Sequence, residues 1–140
     1  MEKIFILLVI FQLKHFVADY PLQNAFMLGK FKDGWAFALP LAAHAGVHAL
    51  FTFCIAFSVT NRSLLSALLA LADFVIHFMM DRIKAGKKYL GRFKPLTAEK
   101  FPTASKEEKR QNEFFWWSLG FDQMIHHLTH YAIMAAIIFL

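Results

Sequence analysis

The chain has 140 residues, room for one compact domain; 58% are hydrophobic, 16% aromatic and only 18% charged, which argues against a soluble domain of this size. A single cysteine, Cys54, excludes a disulfide framework and a thiolate zinc site, so any metal has to be held by histidines and carboxylates. The formal charge of +5 suits a membrane surface, a nucleic acid or neither, depending on where the charges lie.

In chain order, Ile4 to Leu13 is apolar except for Gln12, and the helical pattern runs on through His15 and Asp19 to Tyr20. Pro21 then disfavours helix for the residue before it, which gives a first span over 3–20. The stretch lacks a small-residue cleavage site, so a removable signal peptide is not expected. Pro21 to about Phe31 reads as a short interfacial helix with proline in its first turn, closed near Gly34. Trp35 to Val59 contains no Asp, Glu, Lys or Arg. At about 1.5 Å per residue it is long enough for a hydrocarbon core of roughly 30 Å, and it forms span two, 35–59.

Asn61-Arg62-Ser63 leaves room only for a tight turn, so span three, 63–84, returns beside span two as an antiparallel helical hairpin. A basic loop over 85–105 follows, broken by Gly86, Gly91, Pro95 and Pro102. Ser105-Lys106-Glu107-Glu108 fits the capping box and opens span four, 106–140, whose apolar pattern starts at Phe114. The expected fold class is all-α. One transmembrane domain, 1–140, would form a polytopic four-helix bundle with up-down-up-down topology.

Orientation follows from the bias of basic residues. Lys30, Lys32, Arg82, Lys84, Lys87, Lys88, Arg92, Lys94, Lys100, Lys106, Lys109 and Arg110 fall on one side, against Lys3 and Arg62 on the other. Both termini are therefore expected in the periplasm and both long loops in the cytoplasm, with the chain in a bacterial inner membrane. Trp35, Phe37 and Phe114-Phe115-Trp116-Trp117 fall at the cytoplasmic boundary, as an aromatic belt should.

Ionisable residues four apart occur in every span: His15 and Asp19; His44 and His48; Asp73, His77 and Asp81; Asp122, His126 and His130. Residues at that spacing stack on one helix face. In an up-down-up-down bundle all four sets fall in the cytoplasmic half. A buried Asp costs roughly 2.5–3.5 kcal/mol in a membrane helix, so it needs a partner. Only Lys14 lies well within the spans as an ammonium, which makes a divalent metal the expected counter-charge. The expected ligands are His15, Asp19, His44, His48, His77, Asp81, Asp122 and His126, with Gln23 and His130 as additional candidates and His127 as a bystander. Two ions of zinc, manganese or iron suit such nitrogen and oxygen donors. Asp73 reads as a base or a carboxylate orienting His77, and Lys84 as a holder of phosphate.

The series His15-x-x-x-Asp19 with Gln23, His44-x-x-x-His48, Asp73-x-x-x-His77-x-x-x-Asp81-x-x-Lys84 and Asp122-Gln123-x-x-His126 resembles an uncharacterised family of small bacterial and phage integral-membrane proteins, known only as a domain of unknown function. A looser likeness is to bacterial membrane-bound metal-dependent hydrolases, and it implies hydrolysis. His44-Ala-Gly-Val-His48 and Gln123-Met-Ile-His126-His127 also resemble two boxes of membrane di-iron desaturases and hydroxylases, although the middle HxxHH box is missing.

The expected function is an intramembrane di-metal enzyme that hydrolyses a phosphoester or phosphoanhydride of a lipid-linked or nucleotide substrate. The alternatives are a di-iron oxidative enzyme, a b-type haem protein, and a metal or proton transporter. Membrane lipids and an anionic substrate are the expected partners, a homodimer is open, and nucleic acid is not expected because no binding motif accompanies the basic loop.

Overall fold

The computed structural model describes residues 2–32, 34–86, 89–90, 100, 102–110 and 113–140. Among them there are five α-helices and no strand: α1 Glu2–Asp19, α2 Ala38–Thr60, α3 Ser63–Ala85, α4 Lys106–Arg110 and α5 Glu113–Phe139, with a 3-10 helix, Met27–Phe31, between α1 and α2. The basic positions Lys87, Lys88, Arg92 and Lys94 lie outside the described residues. Helix α1 packs on α2 and α5, α2 on α3, and α3 on α5, while the 3-10 helix rests on α2 and α3.

The α2–α3 hairpin expected from its two-residue turn is present. Asn61 adopts the left-handed conformation (φ 53°, ψ 27°), which its short polar side chain tolerates, and its amide donates to the Phe57 carbonyl at 2.8 Å. Both helices of this hairpin are long and apolar enough to cross a membrane, with mean hydropathy 1.6 for α2 and 1.9 for α3.

Two expected boundaries move. No helix opens at Pro21: the chain turns there, and the 3-10 helix starts only at Met27, whose amide donates to Asn24 Oδ1 at 3.0 Å. The asparagine side chain, and not the proline ring, satisfies the first free N–H. Helix α2 likewise begins at Ala38, three residues after Trp35, with Pro40 in its first turn, where no intrahelical amide donor is needed.

The segment expected as one helix over 106–140 is divided. A capping box opens α4: the Glu108 amide donates to Ser105 Oγ at 3.2 Å, while Glu108 Oε2 accepts from the Ser105 amide and hydroxyl, both at 2.8 Å. The apolar pattern belongs to the separate α5. The amide of Ser105, and secondarily its hydroxyl, hold the Glu108 carboxyl below its ordinary value. A depressed folded value means that this contribution to stability is complete above the ordinary glutamate range and is lost as the pH falls through the folded value. In an NMR titration Ser105→Ala, which keeps the amide and removes the hydroxyl, should move the Glu108 midpoint part of the way upward; an unchanged midpoint would mean that the hydroxyl carries none of the shift.

The inward stripes of the long helices change character along their length. Leu7, Phe11, Ala56, Ile133, Met134 and Ile137 form an apolar cluster at one end. Towards the end carrying the 3-10 helix, the fully buried side chains become mostly polar: His44, His48, His77, His130, Thr52, Asp73, Asp81 and Asp122, with Leu41 among them. Large apolar side chains such as Leu39, Leu50, Leu64 and Leu71 point outward, the reverse of a soluble fold.

Candidate metal centre

Because i and i+4 share a helix face, each long helix delivers its polar residues in successive turns to the common interior. Nearest the 3-10 helix, Asp81 Oδ2 accepts from Lys30 Nζ at 2.7 Å, and Lys84 Nζ lies 2.9 Å from Asp81 Oδ1 and 2.7 Å from Asp122 Oδ2. One turn deeper, Asp19 Oδ1 is 3.1 Å from His48 Nε2 and 3.3 Å from His44 Nε2, and Asp19 Oδ2 is 3.1 Å from His15 Nε2. Deepest, Asp73 Oδ2 accepts from Lys14 Nζ at 2.7 Å and from the Thr52 hydroxyl at 2.6 Å, while His130 Nε2 stands 3.0 Å from the same ammonium.

The expectation that only Lys14 could pair with these carboxylates is corrected. Lys30 and Lys84, counted above among cytoplasmic loop charges, turn inward and form ion pairs. Lys84 pairs with Asp81 and Asp122. Asp73 is engaged by Lys14 and Thr52, and does not orient His77. Lysine stems can carry their charge this far from the helix end because four methylenes pack along apolar surface. Lys30 was not legible as a site residue, since its element lies outside the long helices. The signal that existed is Gly29: a Cβ there would meet Pro40 Cγ at 3.0 Å and Pro40 Cβ at 3.2 Å, so glycine allows the 3-10 helix to press onto α2 and send Lys30 inward. Thr52 is likewise absent from the expected site, although it continues the spacing of His44 and His48.

Among the described residues, two groups of side chains could hold a metal ion: Asp19, His44, His48 and His77, and a second of His77, Asp81 and His126, the donor atoms of each lying within 4.8 Å of one another. His77 belongs to both. Its ring stacks between those of His48, with centroids 3.7 Å apart, and His126, at 3.8 Å. The Nε2 atoms of His44, His77 and His126 are buried and make no aligned hydrogen bond; His44 Nε2 lies between two carboxylate oxygens, 3.3 Å from Asp19 Oδ1 and 3.4 Å from Asp81 Oδ2. A buried polar atom left without a partner costs about 1–3 kcal/mol, so three converging imidazole nitrogens of this kind fit a cation that accepts their lone pairs. Imidazole with carboxylate, and no thiolate, suits zinc, manganese or iron.

Of the other expected ligands, His15 bonds Gln123 Oε1 at 2.9 Å and lies outside both groups. Asp122 also lies outside them, with Lys84 and Gln123 on Oδ2 and its Oδ1 buried without a hydrogen bond. His130 belongs with Lys14, and the half-buried Gln23 joins neither group. His127, expected as a bystander, is half-buried and faces Gln12 at 3.2 Å.

A family model described as "Protein of unknown function (DUF3307)" matches residues 6–140. The chain belongs to this family. Every residue of the two metal-capable groups falls inside the matched region. No curated protein and no solved structure matches the chain.

Proposed function

We propose that the chain is an integral membrane protein, with α1, α2, α3 and α5 as an up-down-up-down bundle, that holds divalent metal at its cytoplasmic end and hydrolyses a phosphoester or phosphoanhydride of an anionic, lipid-linked or nucleotide substrate. The observation that carries this reading is the set of unpartnered Nε2 atoms on His44, His77 and His126, converging with Asp19 and Asp81. The outward apolar side chains and the two spanning-length helices support the membrane setting.

Bound metal would polarise a phosphoryl oxygen and lower the pKa of an attacking water. Asp19, His44, His48 and His77 hold one position, and Asp81 with His126 extend it toward the end of the bundle. Asp122 Oδ1, buried beside His126 Nε2 at 3.8 Å and without a hydrogen bond, replaces Asp73 as the group that takes the proton from water. The apolar cluster around Phe11 and Ile133 closes the far end, which favours a blind-ended catalytic pocket over a conducting path. The ring-on-ring stack of His48, His77 and His126 leaves no room for a haem between them.

Protein purified in detergent without added metal should contain zinc, manganese or iron in stoichiometric amount and should cleave p-nitrophenyl phosphate until a chelator is added. A metal-free chain that takes up none of these ions on titration would overturn the reading.

A further inference from the structure

Among the described residues, Lys30 is the one cation of the buried cluster that does not come from a long helix. It arrives on a five-residue 3-10 helix, is only 4% exposed, and places Nζ 2.7 Å from Asp81 Oδ2. The close approach of Gly29 to Pro40 keeps this segment pressed inward. Yet Asp81 also belongs, with His77 and His126, to a group able to hold a metal ion, and His44 Nε2 is 3.4 Å from the same Oδ2. An ammonium and a metal cation compete for one carboxylate oxygen, and the other oxygen of Asp81 already faces Lys84 Nζ at 2.9 Å. A cation that takes Asp81 Oδ2 therefore weakens the hold on Lys30.

The buried charges say where Lys30 turns. Among the described residues, the carboxylates of Asp19, Asp73, Asp81 and Asp122 share this interior with three ammonium groups, those of Lys14, Lys30 and Lys84. A single divalent cation already leaves this set positive, and a second leaves it strongly so. Uncompensated charge in a desolvated interior is unfavourable, so a cation and an anion enter such a site more easily together than apart. Resting on the metal reading above, we propose that Lys30 is an anion-binding residue of this centre: when a metal ion takes Asp81, the Lys30 ammonium moves to a phosphate oxygen of the substrate. A compact ammonium with three donors suits a tetrahedral phosphate, and the flexible four-carbon lysine stem lets it swing while the 3-10 helix stays in place.

The coupling is measurable. The purified chain is titrated in detergent with the divalent ion it retains, alone and with inorganic phosphate, and Lys30→Met is treated in the same way. Phosphate should tighten metal binding to the native chain by roughly tenfold, and metal should tighten phosphate binding by the same factor. Lys30→Met should bind the ion alone more tightly, having lost the competitor on Asp81, and should lose the phosphate effect. Should Lys30→Met not fold, Lys30→Gln, which can still donate to Asp81, carries the same comparison.

A variant that keeps the full phosphate effect, or one that no longer binds metal, overturns the proposal. A native chain that binds no divalent ion defeats the metal reading itself, whereas one that binds metal with the same affinity with and without phosphate defeats only the role of Lys30. A further arm with detergent-solubilised phosphatidate assigns the source: a larger effect than that of inorganic phosphate points to a lipid-linked ester, an equal or smaller one to a free phosphate compound.

Discussion

Asp73→Ala is expected to destabilise the fold by about 3–5 kcal/mol, the range for breaking a buried ion pair from one side. The Asp73 and Lys14 side chains are 2% and 1% exposed, and their 2.7 Å contact is supplemented by the Thr52 hydroxyl at 2.6 Å. Removing the carboxylate leaves the Lys14 ammonium in a desolvated interior with only His130 Nε2 near it, at 3.0 Å, and leaves the Thr52 hydroxyl without its acceptor. Neither loss can be repaired by water without opening the bundle. Removing both charges is a different matter. The double variant Lys14→Met with Asp73→Leu should lie much closer to the native stability, because the desolvation penalty of both ions disappears along with their attraction. Unfolding in mixed micelles, followed by circular dichroism, measures both variants, and a single variant as stable as the native chain would show that Lys14 reaches solvent or lipid headgroups.

His77→Ala is expected to abolish metal binding altogether, where removal of any ligand found in only one group should leave part of it. His77 is the residue common to both groups, and its ring is sandwiched between His48 and His126. A ligand that binds only the native state stabilises it by about 2.7 kcal/mol at a hundredfold excess over its dissociation constant. The native chain should therefore melt at a higher temperature when the retained ion is added, and His77→Ala should show no such response. Its own melting temperature will also fall because a buried ring is lost, so the decisive quantity is the metal-dependent difference within each protein. His126→Ala, which spares the group of Asp19, His44, His48 and His77, should retain part of the response. Equal metal content in His77→Ala and the native chain would remove both groups as binding sites.

How much of this was legible in the sequence depends on how local the cause is. The capping box of Ser105 and Glu108, the Asn61 turn and the spacing of His44 and His48 all arise within a few residues of one another, where backbone hydrogen bonding and helical period leave few alternatives. The start of the 3-10 helix was misread for an equally local reason, since Asn24 competes with Pro21 for the same role. Partner choice is another matter. Asp81 lies three residues before Lys84, so that pair can be anticipated from a helix face, but Lys30 is 51 positions away from the same carboxylate. Likewise, nothing in the pattern of α1 distinguishes His15, which turns to Gln123 on α5, from Asp19, which joins His44 and His48.

From composition and period alone, the chain is all-helical, carries an apolar hairpin of spanning length, and presents imidazoles and carboxylates on single helix faces, because these are properties of a helix before it meets another. Tertiary structure decided which donors are left over. Ion pairs with three inward-turning lysines occupy much of the carboxylate charge, and the packing of α1, α2, α3 and α5 leaves the buried Nε2 atoms of His44, His77 and His126 without hydrogen bonds. Hydrogen bonds and Coulomb attraction fall off within a few ångströms, so the sorting of ligand from ion-pair partner depends on distances that only the assembled bundle sets.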